Sequence, residues 1–243
     1  MLNLKSAAYR TKAILDKEGL TSLFKRVSAF MIHQIFIHET YYIIEDSIKD
    51  IDADPDDFIP DIPNLKYRFV KTNQEADKVA VEFSDFRLSH HNARERLDKG
   101  AMALCIFIGA ELAYINWTAT TEAAKKTFND IPYKVNFGNK EVVSGGESTI
   151  PKYRRKGLSK YGHLLKDQFL KNMGVNKKHA TISKSNLISM KVKSGFGHRV
   201  YAKGRYIKIL GWKLWKETPI SPPKLVEQVL ADNKIPRRKR TGY

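Results

Sequence analysis

The sequence predicts an α/β (α+β) domain of layered helices and a mixed sheet, with a helical extension at the N-terminus. Three observations predict this class. Between residues 65 and 215, segments of strand composition alternate with segments of helical spacing. Two apolar runs, 101–108 and 111–118, are separated by Gly109-Ala110, which indicates a hairpin of buried strands. A hydrophobic content of 42% in 243 residues is enough for one sizeable core.

Each element has its own signal. The strands are rich in β-branched and aromatic residues, and the helices repeat apolar residues every three or four positions. The predicted strands are 65–71, 101–108, 111–118, 141–150, 179–183, 198–201 and 206–215. The predicted helices are 73–86, 158–173 and 186–194, with a polar segment of helix-forming residues at 86–99.

The residues before this region form a separate segment. Two helices are expected at 5–17 and 20–37, the second packed on the main domain through its apolar stripe, and a short strand at 41–45. An acidic, proline-containing linker at 46–63 follows. We therefore expect three parts: a helical extension with its acidic linker (1–60), the main domain (61–217) and a basic, mobile tail (218–243), which includes the cationic run 237–240.

Charge is distributed unevenly along the chain. Residues 151–216 hold eighteen Lys and Arg but one acid, Asp167, and so carry the whole formal net charge of +17. A field this concentrated indicates an anionic ligand or partner. Neither a signal peptide nor a transmembrane segment is expected, and the lone Cys105 in an apolar run fits a reducing compartment. The sequence therefore predicts a cytoplasmic protein.

The segment that carries chemistry runs from strand to turn to helix, at residues 147–160. Pro151 ends the strand pairing, and Gly157 allows a tight turn that a ligand can approach closely. The helix that follows presents unpaired N–H groups and the positive end of its dipole. Such a junction is suited to bind a pyrophosphate group.

These residues resemble the acyl-CoA loop of the GNAT superfamily of acyltransferases. That family carries Arg/Gln-x-x-Gly-x-Gly/Ala at a strand–helix junction, commonly after Pro-x-Tyr, and here Pro151, Tyr153, Arg154 and Gly157 match. Ser159 departs from the pattern but is also small. A second match is Asn186 at the start of the next helix, which ends in Gly195-Phe196. The order of elements from 65 to 215 also looks like the family fold, which implies a mixed, mostly antiparallel sheet flanked by helices.

The resemblance implies acetyl-CoA as co-substrate. No metal is indicated, because the other His residues are scattered along the sequence and Cys105 is the single cysteine. It places the pyrophosphate on the loop and helix start, and the thioester where strand 141–150 splays from strand 179–183. The loop residues concerned are Arg154, Arg155, Lys156, Gly157, Leu158 and Ser159. Ser148, Thr149 and Ile150 would pair with the pantetheine arm, and Asn186 would lie near the cofactor.

Acyl transfer needs a neutral amine, and two strand carboxylates could accept its proton, directly or through water. Glu141 and Glu147 are six residues apart and share a face unless a bulge intervenes. The alternative is that each is a solvated carboxylate. We favour Glu147, which is nearer the expected thioester, and keep Glu141 as the fallback if Gly145-Gly146 forms a bulge that turns Glu147 away.

Other catalytic roles stay open at the sequence level. Many relatives have a Tyr four residues before the Gly-Phe glycine that protonates the leaving thiolate, and this chain has Lys191 there. Lys191, Tyr161, Tyr201 or solvent could act instead. His90 and His91 fall where relatives build the acceptor pocket, so they are candidate substrate contacts, although adjacent histidines in a polar segment are often surface residues.

The function expected from this resemblance is transfer of an acetyl or other acyl group from acyl-CoA to an amine, on a small molecule or a protein. The alternative is a GNAT-like scaffold whose basic C-terminal half binds nucleic acid or another polyanion. Acetyl-CoA binding discriminates the two. A homo-oligomer is compatible with both.

Overall fold

A computed structural model describes Thr21 and residues 36–49, 53–90, 92–129 and 131–232. Most of the two predicted N-terminal helices, His91 and the cationic run 237–240 lie outside the described residues. The described chain divides into two compact units, which are described separately. The first comprises residues 47–179, and the second comprises 36–46 with 180–232.

The strands, in chain order, are β1 (Phe36–Ser47), β2 (Leu65–Val70), β3 (Ala101–Ile108), β4 (Glu111–Ala119), β5 (Glu141–Thr149), β6 (Lys177–Ser183), β7 (Arg199–Ile209) and β8 (Trp212–Leu225). The α-helices are α1 (Asn73–Glu82), α2 (Phe86–Ser89), α3 (Ala93–Asp98), α4 (Glu122–Phe128), α5 (Leu158–Asn172), α6 (Leu187–Ser194) and α7 (Val226–Asp232). Short 3-10 turns lie at Pro55–Phe58, Phe137–Asn139 and Pro151–Tyr153.

The first unit is a mixed sheet between helices. Its strands follow the order β2-β3-β4-β5-β6, with every pair antiparallel except β5 and β6, which are parallel. Capping side chains start two of its helices: Thr72 accepts from the N–H of Glu75 before α1, and Thr121 accepts from that of Ala124 before α4. The central strands β3 and β4 are buried on both faces, as helices on both sides require.

Helix α5 packs on one face of this sheet. Its apolar residues Leu158, Tyr161 and Leu165 meet strand residues that include Leu104 and Tyr114. Gly162 makes the close approach possible, because a Cβ there would lie 2.4 Å from the Tyr114 ring. The lone Cys105 is buried, as predicted, and burial raises the pKa of its thiol well above the usual value.

The second unit is built on the end of β6, then β1, β7 and β8 in that order. Both β1–β7 and β7–β8 are antiparallel. Helices α6 and α7 cover its core, which contains the buried residues Tyr42, Ile44, Ala180, Ile182, Met190, Val200, Val226 and Val229.

The predicted fold class is confirmed, and three element boundaries are corrected. The helix predicted to reach residue 86 ends at Glu82, because the backbone turns extended at Phe83. Residues 198–201 and 206–215 are not two separate strands, since β7 runs unbroken to Ile209 and the turn falls at Leu210-Gly211, where Gly211 has a φ of +91°. The predicted short strand at 41–45 begins at Phe36, where it pairs with Ile209.

Candidate functional site

A bulge interrupts strand β5 in the middle. Ile115 of β4 pairs with Ser148, and Trp117 pairs with Gly145, so β5 contains one residue more than β4 across this stretch. Gly146 has a φ of +60°, the left-handed conformation that glycine adopts without penalty. Gly145-Gly146 therefore forms the bulge that the sequence analysis left open.

The bulge places Glu141 and Glu147 on opposite faces of β5. Up to Gly145 the odd-numbered residues of β5 lie beside Trp117, but after the extra residue Ser148 takes that side. Because side chains alternate with a period of two, Glu147 moves to the face of Tyr114 and α5. The expectation that the two carboxylates share a face is wrong, because the bulge intervenes between them.

Strand β5 also loses its parallel partner part-way along. Its pairing with β6 covers Glu141–Val143, opposite Lys177–His179. Residues 144–149 have no parallel partner among the described residues, so the backbone edge of β5 on that side is available to a ligand.

Directly after β5, the chain makes the turn that the sequence predicts. Pro151–Tyr153 forms a 3-10 turn, Arg155 has a φ of +61° and Gly157 one of +81°. Helix α5 starts at Leu158 without a side-chain cap on its N-terminus. The N–H groups of its first turn therefore point, unbonded, at whatever lies against the loop.

The cationic side chains of the loop differ in what they contact. Arg154 donates from Nε to the carbonyl of Thr149 at 3.2 Å. Lys156 lies 5.9 Å from the Tyr153 ring, and Lys160 lies 3.7 Å from the Phe58 ring. These residues are exposed at the turn, so the loop concentrates positive charge beside the open helix end.

Glu147 ties β5 to α5. Ser159 donates its hydroxyl to one carboxylate oxygen, and His163 Nε2 lies 2.9 Å from the other. The buried Tyr114 hydroxyl also hydrogen-bonds Glu147; burial, together with this carboxylate, raises the pKa of Tyr114 well above its usual value. The side chain of Glu147 is 24% exposed, so solvent still reaches it.

Beneath Glu147 lies a buried polar network between the sheet and α5. Lys166, which is 1% exposed, donates to Asn116 Oδ1 at 2.9 Å and to Ser144 Oγ at 2.5 Å. Asp167 follows Lys166 in α5, and both of its carboxylate oxygens accept hydrogen bonds from Lys178 Nζ at 2.7 Å. Burial alone would raise the pKa of Asp167, but the charges of Lys178 and Lys166 outweigh it and lower that pKa.

Glu141 is engaged at the other end of β5. It lies 3.0 Å from His179 Nε2 and accepts from the backbone N–H of Asn136 at 2.9 Å. Burial would raise the pKa of Glu141, but these two hydrogen bonds outweigh it and lower that pKa. Glu141 is thus held by local structure.

Three further predicted site residues lie on two helices. His90 ends α2, where its Nδ1 lies 3.0 Å from Ser89 Oγ. Asn186 accepts from the N–H of Ser189 at 3.1 Å and so caps α6. Lys191 is an exposed residue of the same helix. Asn186 and Lys191 belong to the second unit.

The face of β4 and β5 opposite α5 carries a residue that the sequence analysis did not identify. The guanidinium of Arg96, on α3, lies 5.2 Å from the Trp117 ring and 4.9 Å from the Phe128 ring. Its Nη1 sits against the bulge, 2.8 Å from where a Cβ on Gly146 would be. No local sequence pattern predicts that Arg96, Trp117 and Phe128 meet, because the three side chains come from separate elements.

His163 and Lys166 were also missed, although a signal exists. They lie four and seven residues after Ser159, which is the spacing of one helix face. A polar row on a helix that is otherwise apolar on its packed side indicates a buried network. Within the described residues, no group of three or more His, Cys, Asp and Glu is placed to hold a metal ion, and no helix is long and apolar enough to cross a membrane.

Comparisons with known proteins give remote structural similarity. No family model matches the sequence, and no curated protein matches it. A GCN5-related N-acetyltransferase from Sphaerobacter thermophilus is 11% identical with a TM-score of 0.44, over 84% of this chain and 58% of that one. A tandem GNAT protein from the clavulanic acid biosynthesis pathway is 13% identical with a TM-score of 0.46, over 77% and 55%.

A third similar structure is the GCN5-related glucosamine N-acetyltransferase region of a fungal multi-domain β-N-acetylglucosaminidase. It is 12% identical with a TM-score of 0.46, over 83% of this chain and 23% of that one. In each of the three cases, this chain spans less than two thirds of the solved chain's length. Their descriptions name the family that the loop motif resembles.

Proposed function

We propose that this protein is an N-acyltransferase of the GNAT type, which moves an acetyl or other acyl group from acyl-CoA to an amine. The observation that carries the proposal is the junction of β5 and α5. A strand that has lost its parallel partner runs through a glycine bulge into a cationic turn, and an uncapped helix N-terminus follows. A pantetheine arm needs a strand edge without a partner, and a pyrophosphate needs an open helix N-terminus.

This proposal assigns residues to the pyrophosphate and to the pantetheine arm of acetyl-CoA. The N–H groups of the turn and the first turn of α5, from Arg155 to Ser159, hold the pyrophosphate, and Arg154 and Lys156 add positive charge. Ser148, Thr149 and Ile150 pair with the amides of the pantetheine arm. Asn186 stays a proposed cofactor contact, although its side chain caps α6.

The proton of the attacking ammonium goes to Glu147 through water. Ser159 and His163 fix the orientation of this carboxylate, and its partial exposure leaves room for the water. Glu141 is the weaker candidate, because its side chain is 13% exposed, against 24% for Glu147, and leaves less room for the water. Lys191 remains the proposed donor to the leaving thiolate, and His90 and His91 remain proposed acceptor contacts.

The test is calorimetric titration of acetyl-CoA into the wild-type protein and into Gly157→Val. We expect wild type to bind and the variant to lose binding, because a branched side chain opposes the φ of +81° and occupies the space a pyrophosphate needs. Gly211→Val is the matched control, since Gly211 also has a positive φ, +91°, but lies in the β7–β8 turn. Normal binding by Gly157→Val would show that the pyrophosphate lies elsewhere.

The alternative function, a scaffold that binds a polyanion, has no feature of the described site in its favour. It predicts binding of nucleic acid that weakens with salt and no binding of acetyl-CoA. The same titration, with a nucleic acid oligomer in place of acetyl-CoA, separates the two.

A further inference from the structure

In the part of the chain that the structure describes, Arg96 has no anionic partner. Among the described residues it forms no ion pair, and its one hydrogen bond, from Nη2 to the carbonyl of Thr127, is long at 3.5 Å. Its neighbour Glu95 pairs with Lys99 at 2.6 Å instead. Burial lowers the pKa of Arg96, which Glu95 opposes only in part. A partly buried guanidinium with no carboxylate is costly to maintain.

The ring of Trp117 lies beside it. A Cβ on Gly146 would lie 2.8 Å from Arg96 Nη1 and 3.1 Å from Trp117 Cδ1, so the guanidinium and the ring both flank the bulge. Among the described residues, the buried Nε of Arg96 has no hydrogen-bond partner. A buried donor left unpaired in a native structure calls for an acceptor.

The guanidinium is also held in place. The rings of Trp117 and Phe128 lie 5.2 Å and 4.9 Å from it, on the face of the sheet away from α5. Arginine in such a setting has lost most of its freedom before any ligand arrives, so it binds with little further ordering cost. The residue is only partly buried, so an anion can reach it from solvent.

The position of this pair relates it to the reaction. The bulge at Gly146 lies on the part of β5 that has no parallel partner, where the proposed function puts the thioester. We infer that Arg96 binds a carboxylate of the amine acceptor, which makes the acceptor an amino acid or another amine with a carboxylate close to its nitrogen. This inference rests on the proposed function for its link to acyl transfer. A planar carboxylate matches the guanidinium fork with two oxygens.

The test uses N-acetyl amino acids, which are the products that the proposed reaction gives from amino-acid acceptors, and their primary amides as uncharged partners. Binding to the full-length protein is measured by ligand-observed NMR, without acetyl-CoA. We expect wild type to prefer at least one acid over its amide, and Arg96→Gln to bind that acid about 10- to 100-fold more weakly, the loss typical of one charge-assisted contact.

Two further variants act as controls. Arg94→Gln removes an exposed cation of the same helix, with a side chain 52% exposed, and should leave binding unchanged. Arg96→Lys keeps the charge without the fork and should bind with intermediate affinity if the variant remains folded by thermal denaturation. The inference would be overturned if wild type bound acid and amide equally or bound neither. It would also be overturned if wild type preferred N-acetyl phosphoethanolamine, which carries a phosphate in place of the carboxylate.

The outcomes also separate this inference from the proposed function. If acetyl-CoA binds but no acid is preferred over its amide, the carboxylate site fails alone. If an acid binds through Arg96 and acetyl-CoA does not bind, the acyltransferase proposal fails and the anion site stands.

Discussion

At the scale of single residues, the proposed chemistry depends on how Glu147 is held. Ser159 and His163 each bind one of its oxygens, and both belong to the first two turns of α5. The proposed base is therefore tied to the helix that would bind pyrophosphate. Glu147 would make these same contacts whether it acts as a base or only ties β5 to α5. Two substitutions at Glu147 separate these roles.

We expect Glu147→Gln to lower the rate of acyl transfer by about two to four orders of magnitude, the usual loss of a general base. Its affinity for acetyl-CoA should change little, because the amide oxygen still accepts from Ser159. The loss should shrink as pH rises and more of the acceptor amine is already neutral. Thiol release measured across pH, with acetyl-CoA titrations alongside, checks this prediction.

Glu141→Gln is the matched control on the same strand and should keep its rate, and Glu147→Ala should lose both rate and acetyl-CoA affinity. If Glu147→Gln instead weakens acetyl-CoA binding at an unchanged pH profile, Glu147 only ties the loop to the strand. If both Gln variants keep full rate, the base lies elsewhere, and His90 and His91 are the next candidates.

At the scale of elements, α5 lies unusually close to strand β4. Gly162 is the reason, since a Cβ at this position would approach Tyr114 Cε1 to 2.4 Å and Cζ to 2.8 Å. Tyr114 is fully buried and accepts from Asn116 at 3.1 Å, so its ring cannot move away freely. The close approach also brings His163 and Lys166 into reach of β5 and β4.

Gly162→Ala should therefore destabilise the protein by about 1 to 3 kcal/mol, the range for overpacking a core. Helix propensity alone predicts the opposite, a gain of about 1 kcal/mol for Ala over Gly. Chemical denaturation decides between them. Lys171→Ala, an exposed position on the same helix, is the control and should stay within about 0.5 kcal/mol of wild type. A stabilised Gly162→Ala would mean that α5 and β4 are less tightly packed.

At the scale of the whole molecule, the unequal distribution of charge governs the response to acid. The basic segment 151–216 has a single acidic residue, Asp167, and this residue is buried against Lys178. The pKa of Asp167 is lowered in the folded state, so its contribution to stability is present above the unfolded pKa and lost as pH falls through the folded one.

We predict that the free energy of unfolding decreases as pH falls below about 4, where an unfolded aspartate begins to take up its proton. Asp167→Asn should reduce stability near neutral pH by about 3 to 5 kcal/mol, because Lys178 is left buried without its partner. The variant should also lose part of the acid dependence. Denaturant unfolding at a series of pH values measures both effects.

Glu95→Gln is the control for this experiment, since it removes an exposed pair with Lys99 and should cost at most about 1 kcal/mol. An acid limb of the same slope in wild type and in Asp167→Asn would show that other groups carry the acid response.

The sequence by itself determined the features that depend on neighbours along the chain. Alternation and helical spacing indicated most of the strands and helices between residues 65 and 209, Pro151 and Gly157 marked the turn before α5, and Gly145-Gly146 allowed a bulge. Each is a matter of local backbone conformation, which a residue type such as glycine or proline restricts or permits wherever it stands. These signals survive without knowledge of the fold.

Only the tertiary structure decided which side chains meet. A one-residue bulge moves Glu147 to the face of α5, where residues 12 and 16 positions further along the chain bind it. Arg96 meets Trp117 and Phe128 only because α3, β4 and α4 converge beside that bulge. Contacts between distant segments depend on register and packing, and a period of two turns a shift of one residue into a change of face. Periodicity in the sequence carries no record of that shift.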